Sequence, residues 1–376
     1  MVGLALLALT LAGSARPTAP GLSATPIQDS PVLVRVVPHR GTRRLVCSID
    51  GKRGRTCSRR TRLRLAPGRH RIAAWAIGAR GRASAKRHVN VVVPESAPAG
   101  VTVGGDPVGI AAAGSDLWVS DGSTGDVVRV NAATRQVTGT IAVGGQLGGI
   151  AATATAVWVS GFDSGKLARL DPAHGTVADR IDIGGQPTGV AIDATGAVWV
   201  GNLDGSTTRI DPATNHATAH VSLPSGVSTL LAVGNLLWAG LQDGSLVSID
   251  PAAAAVVGPP IQVSLDVDAL ASFPQGLWCS TFSGTADRID PAAGAVVRSV
   301  PLTGRGGGIA FGGGRVWVSV YDRAYAVELD PLTGALLGAV HTGAKPRDAV
   351  VAGQTLWVVD QAAGKLTPIP LGPRQR

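Results

Sequence analysis

The groups in this 376-residue chain whose types could do chemistry are seven histidines, three cysteines, a glycine run and scattered hydroxyls. His216 and His220 are four residues apart, the spacing at which an α-helix turns two imidazoles toward one metal ion. They lie in a turn followed by a strand pattern, where that spacing does not converge. His174 and His216 fall in equivalent turns of neighbouring repeats and are read as solvated side chains rather than ligands. The run GRGGGIAFGGG, from Gly304 to Gly314, lacks both the G-x-x-x-x-G-K-[ST] order and the following helix of a phosphate loop, and is read as two turns flanking an apolar strand. No G-x-S-x-G nucleophile elbow occurs, and DGSTG from Asp121 has the wrong spacing and reads as a hairpin turn. The chain is therefore expected not to be an enzyme and to use no cofactor and no metal.

The cysteines point to a compartment instead. Cys47 and Cys57 flank SIDGKRGRT, a glycine-containing turn between apolar-patterned strands. A bridge across so short a loop would contribute roughly 2–3 kcal/mol and belongs in an oxidising environment. His39 and His70 do not complete a zinc set around them. Cys279 follows Trp278 within a strand pattern and is read as a small buried hydrophobe. Residues 1–15, MVGLALLALTLAGSA, form an apolar run ending in small residues, as a secretory signal does, and are too short to cross a bilayer. No Lys or Arg precedes Arg16, so the remnant of a longer membrane anchor is the alternative reading. Residues 16–28 are rich in Pro, Ala, Thr and Ser and read as a linker.

What positions any of these groups is a repeat. Trp118, Trp158, Trp199, Trp238, Trp278, Trp317 and Trp357 follow one another at gaps of 40, 41, 39, 40, 39 and 40 residues, each inside a self-similar stretch. Every complete copy holds four short β-type runs bounded by Gly, Asp or Pro, which leaves no length for a crossover helix and requires an antiparallel meander. Stacking seven meanders radially buries both faces of each, so the fold class is all-β: a seven-bladed β-propeller of four-stranded antiparallel blades. The seventh copy ends before its fourth run, whereas Ala99 to Gly105 stands ahead of the first copy and matches that run, so it is expected to close the ring. The Asp-Gly pairs at Asp204 and Asp243, with Asp163-Ser164-Gly165, are given to hairpins, the Asp-Pro pairs from Asp171 to Asp330 to turns, and the tryptophans to packing between blades.

Charge divides the chain in two. Residues 28–95 carry seventeen Lys/Arg against Asp29, Asp50 and Glu95, a net +14, whereas residues 96–376 carry sixteen against twenty-two Asp/Glu, a net −6. In RTRLRL, alternation sets Arg60, Arg62 and Arg64 on one strand face and Thr61, Leu63 and Leu65 on the other. A basic stripe of this kind attracts phosphate-bearing envelope polymers or anionic lipid headgroups. Nucleic acid is not expected, because Trp75 is the only aromatic residue there and single-stranded binders need stacking platforms.

The pattern GGQPTGVA from Gly184 to Ala191, followed by WV and then R-[IL]-D-P, resembles the YVTN-type and streptogramin-lyase-like β-propellers over roughly residues 99–372. Residues 29–95 resemble the small Ig-like sandwiches of secreted bacterial proteins, through CSID at Cys47, the second Cys57 and LAPGRHRIAAWA from Leu65. The lyase resemblance implies a catalytic His and a Glu-bound magnesium ion on one face of the ring. Here the WVS, WVG and WAG segments lack that Glu, Glu328 is the only propeller glutamate, and no His falls in a loop of the matching face. What the propeller resemblance does imply is a mouth, built from the loops between the fourth run and the next first run: Asp106, Gln146, Gln186, Ser225, Asp266, Asp268, Arg305, Lys345 and Arg347. The expectation is an exported monomeric binding module, with an unspecified protein or small ligand at that mouth and an anionic envelope surface at the basic domain. A lyase-like enzyme and the extracytoplasmic sensor portion of a membrane receptor are the alternatives.

Overall fold

The computed structural model describes residues 16–372. The segment read as a signal or anchor, 1–15, lies outside the described residues. Two compact units divide the chain, one ending at Pro94 and the other beginning at Glu95.

The first unit packs two antiparallel sheets on one apolar core. A three-stranded sheet is made by Gly21–Ser23, Val32–Val37 and Arg60–Leu63, and a four-stranded one by Arg55–Cys57, Arg44–Ile49, Gly68–Ile77 and Arg87–Val93. Alternation along Val32–Val37 buries Val32, Val34 and Val36 against Leu45, Cys47, Ile72, Ala74 and Val91. Cys47 and Cys57 form a disulfide, with Cα atoms 5.7 Å apart on adjacent strands. The reading of 16–28 as a linker is corrected here. Gly21–Ser23 pairs with Val32–Val37, Leu22 and Ala24 pack on the core, and Ile27 is buried, because these scattered apolar residues cover an edge strand and a core margin that would otherwise face water.

The second unit holds seven four-stranded antiparallel sheets, each built from strands consecutive in sequence except the last. In the last sheet, Pro346–Ala352, Thr355–Asp360 and Lys365–Pro370 are joined by Val101–Thr102, which registers Val101 opposite Leu366 and Thr102 opposite Lys365. The first strands of the sheets are mutual neighbours in order, and Pro346–Ala352 of the seventh neighbours Pro107–Ala113 of the first. The fold is thus all-β and propeller-like. Second strands are buried apart from their first residue in some sheets, and the tryptophan of each is buried, while the fourth strands of the first four sheets are largely exposed and that of the sixth, Leu336–His341, is covered.

The motif residues turn out to stitch one sheet to the next. The guanidinium of Arg129 donates to Pro172 O and that of Arg169 to Pro212 O, so the Arg of one copy holds the Asp-Pro turn of the following copy. Both guanidinium groups also lie over the buried tryptophan opposite them, at 5.1 Å from the Trp118 ring and 5.3 Å from the Trp158 ring. The Ser of the WVS motif does the same nearer the centre: Ser120 Oγ donates to Gly148 O at 2.6 Å and Ser160 Oγ to Thr188 O at 2.7 Å. The turn aspartates are spent locally, as Asp171 accepts the N–H groups of Ala173 and His174 and Asp204 those of Ser206 and its hydroxyl.

Candidate functional site at the mouth of the inner strands

Where the first strands meet, a cavity of about 630 Å³ opens, lined by residues from all seven of them. Two rings of residues lead into it. The outer ring is fixed by one hydrogen bond repeated in every sheet, in which the residue after the second strand donates its N–H to the loop ahead of the first strand. Gly122, Phe162, Leu203, Gln242, Phe282, Tyr321 and Gln361 donate in turn to the carbonyls of Asp106, Gln146, Gln186, Gly226, Asp266, Arg305 and Lys345. The inner ring arises from a β-bulge. In every first strand the register with its neighbour slips, leaving Val108, Ser228, Asp268 and Arg347 unpaired, and leaving the pairs Gly148–Gly149, Thr188–Gly189 and Gly307–Gly308 unpaired in the other three. A bulge bends the strand and re-aims the side chain it carries.

Small residues at the bulge follow from crowding. A Cβ on Gly149 would lie 2.4 Å from Thr188 O, and one on Gly308 would lie 2.4 Å from Ala349 N. Gly306–Gly308, read as part of a turn, therefore belong to the strand Gly306–Gly312, and their missing side chains are what allow adjacent strands to approach.

Of the nine residues expected at the mouth, Asp106, Gln146, Asp268 and Arg347 line the cavity. Gln186, Asp266 and Lys345 belong to the outer ring, and Ser225 precedes its equivalent, Gly226. Arg305 is committed elsewhere. Its guanidinium is clamped by Asp322, Nη2 to Oδ1 at 2.8 Å, and lies between the rings of Phe282 and Tyr321, at 4.5 and 4.9 Å. Tyr321 Oη in turn donates to Gln361, whose amide donates to Asp106, so the rim is tied across the sixth, seventh and first sheets. Sequence reasoning missed Phe162, Gln242, Gln361 and Asp348 as lining residues. The signal was available, since the first three occupy one repeat position immediately after the second run.

Three carboxylic acids, Asp268 of the fifth sheet and Asp348 and Asp360 of the seventh, have unusual environments. Burial pushes Asp268 up to about 6, a shift that the nearby Arg347 charge opposes and that Asp348 and Asp266 reinforce. Burial also raises Asp348, although its carboxylate accepts the N–H groups of Ile110 at 3.0 Å and Ala349 at 2.8 Å. Through the first of these bonds Asp348 joins the seventh first strand to that of the first sheet. Asp360 is fully buried and is pushed up to about 6 by burial, a shift that the Thr367 hydroxyl on Oδ2, the Gly343 N–H, the Lys365 charge and the Thr342 hydroxyl oppose without cancelling, while Oδ1 has no hydrogen-bond partner among the described residues. Among the described residues no group of three or more His, Cys, Asp and Glu side chains could hold a metal ion.

Comparison with known proteins bears on the fold alone. No family model matches the chain, and no curated protein matches it. Among solved structures it is similar to Kuenenia stuttgartiensis hydrazine synthase, at TM-score 0.64 and 20% identity, over 70% of this chain and 95% of that one. At that identity the similarity carries the architecture and none of the chemistry. Among the described residues no helix is long and apolar enough to cross a membrane.

Proposed function

We propose that this chain is an exported, non-enzymatic binding module. In this reading the second unit is a closed seven-bladed propeller of the YVTN or streptogramin-lyase-like type, which offers its mouth to a ligand, and the first is an Ig-like sandwich that docks on an anionic envelope surface. The observation that carries the docking role is exposure: every one of the seventeen Lys and Arg side chains between residues 28 and 95 is exposed. Arg60, Arg62 and Arg64 have no hydrogen-bonding or ion-pair partner for their guanidinium groups among the described residues. Register sets Arg60 opposite Arg35 and Arg62 opposite Leu33, so one open sheet face carries three arginines together with Leu33, 36% exposed, and Val37, 60% exposed. Arginines interleaved with exposed aliphatic groups suit a surface that is both anionic and partly apolar. The disulfide supports an oxidising destination.

The test is co-sedimentation of the full chain with anionic vesicles, neutral vesicles and purified cell wall, from low to high salt. Binding to an anionic surface should fall steeply with salt and drop when Arg60, Arg62 and Arg64 are changed to serine. Leu33→Ser with Val37→Ser should weaken vesicle binding and leave wall binding intact. No binding at low salt, or binding indifferent to salt and to the arginines, would remove the docking role.

A further inference from the structure

The inner ring of the mouth holds two opposite charges that no hydrogen bond or ion pair among the described residues engages. Among its unpaired bulge positions, Asp268 on Val267–Phe273 and Arg347 on Pro346–Ala352 are the only charged residues; the others are Val108, Ser228, Thr188 and glycines. Both line the 630 Å³ cavity. Neither makes a hydrogen bond or an ion pair with its side chain among the described residues. Their sheets are the fifth and the seventh, and at the equivalent position of the sixth stand Gly307 and Gly308, which contribute no side chain between them. The neighbouring charges are already engaged: Asp348 accepts two N–H groups, and Arg305 is clamped by Asp322. Two opposite charges at the wall of one cavity, near enough for Arg347 to act on Asp268 yet joined by no ion pair or hydrogen bond, on backbone that a bulge has re-aimed, form an arrangement for bridging by something else.

We infer that the mouth binds a small zwitterion, an α-amino acid or short peptide, whose carboxylate pairs with Arg347 and whose ammonium pairs with Asp268. Arg offers a planar fork matched to a carboxylate, and an acid that faces no protein donor is open to an ammonium. Lone anions leave Asp268 uncompensated and lone amines leave Arg347 uncompensated, so the pair selects for both charges in one molecule. Cavity size admits a residue side chain or a second residue besides the two charged ends. The groups facing Asp268 are Arg347, Asp348, Asp266 and Arg305, and burial holds its carboxyl at about 6, so ammonium recognition fades as the pH drops below that value.

This inference rests on the reading of the propeller as a binding scaffold, and its test separates the two. The full chain is titrated by calorimetry with free amino acids and di- and tripeptides, with their N-acetylated and C-amidated forms, and with neutral polyols. Blocking either end should weaken binding at least ten-fold. Asp268→Asn should remove the discrimination against the N-acetylated form, and Arg347→Gln that against the amidated form. Binding of a free amino acid but not of peptides, or the reverse, fixes which zwitterion is taken, and either supports the inference. If singly charged or neutral compounds bind as well as zwitterions, through Asp268 or Arg347, the mouth is a binding site and the zwitterion inference fails. If no compound binds, or if binding ignores both substitutions, the inference fails and the mouth is not the site.

Discussion

Replacing Asp360 by asparagine should make the protein more stable at neutral pH, against the usual outcome of altering a buried residue. The same position in the first sheet is Asp121, where burial is outweighed by the N–H groups of Thr124, Ser123 and Asp106 and by the Ser123 hydroxyl, and the carboxyl is held below the usual range. At Asp360 the donors, from Thr367, Gly343 and Thr342, do not outweigh burial, which lifts it to about 6 from an ordinary 3.8. An acid whose folded-state pKa is raised favours folding while it is protonated. Its contribution is full below about pH 4, declines as pH rises to about 6, and is absent above that. A rise from 3.8 to about 6 corresponds to about 3 kcal/mol at most. Asparagine accepts from Thr367 as well as the acid does and carries no charge to bury. The wild-type and variant melting temperatures, followed by tryptophan fluorescence, should therefore nearly coincide at pH 4. They should separate by on the order of 5–10 °C in favour of the variant at pH 7.5. Asp268 and Asp348 titrate in both proteins and cancel in the difference. A difference that is flat across the range, or that favours wild type at neutral pH, would refute the reasoning.

Three further outcomes follow from the packing. Gly149→Ala places a Cβ 2.4 Å from the Thr188 carbonyl of the next inner strand and should cost about 1–3 kcal/mol, read as a lower urea midpoint. Reducing the Cys47–Cys57 bridge should destabilise the first unit by roughly 2–3 kcal/mol, reported by Trp75, while the second unit unfolds as before. Deleting residues 99–105 removes the strand that pairs with Lys365 and Leu366 and takes Val101 from the cluster of Leu117, Trp357 and Leu366; the second unit's melting midpoint should drop sharply.

The architecture was legible because it repeats. A tryptophan every 40 or so residues, an Asp-Gly turn and an Asp-Pro turn fix strand number and connection, and the fourth-run match at Ala99 to Gly105 identified the strand that joins the last sheet. The roles of the Arg and Ser in the motif were not legible, because their partners Pro172 and Gly148 lie in the following copy and only packing brings them together. Of the nine loop residues read from the sequence, four line the cavity. Loop position located Asp268 and Arg347, but the bulge that sets them apart from Asp266 and Lys345 is a slip in register between strands, which a single strand's pattern does not record. The strand at Gly21–Ser23 was hidden by composition, since Pro and Thr around Leu22 mask the few apolar positions that pack.

The central claim is that the propeller's mouth, and its uncommitted Asp268 and Arg347 in particular, is where this protein binds. A crystal structure of the chain soaked with the tightest-binding zwitterion tests it most directly. The account predicts ligand density inside the cavity, with a carboxylate within hydrogen-bonding distance of the Arg347 guanidinium and an ammonium within that distance of Asp268. Density bound elsewhere on the molecule, or in the cavity with both charged ends turned away from these two residues, would contradict it.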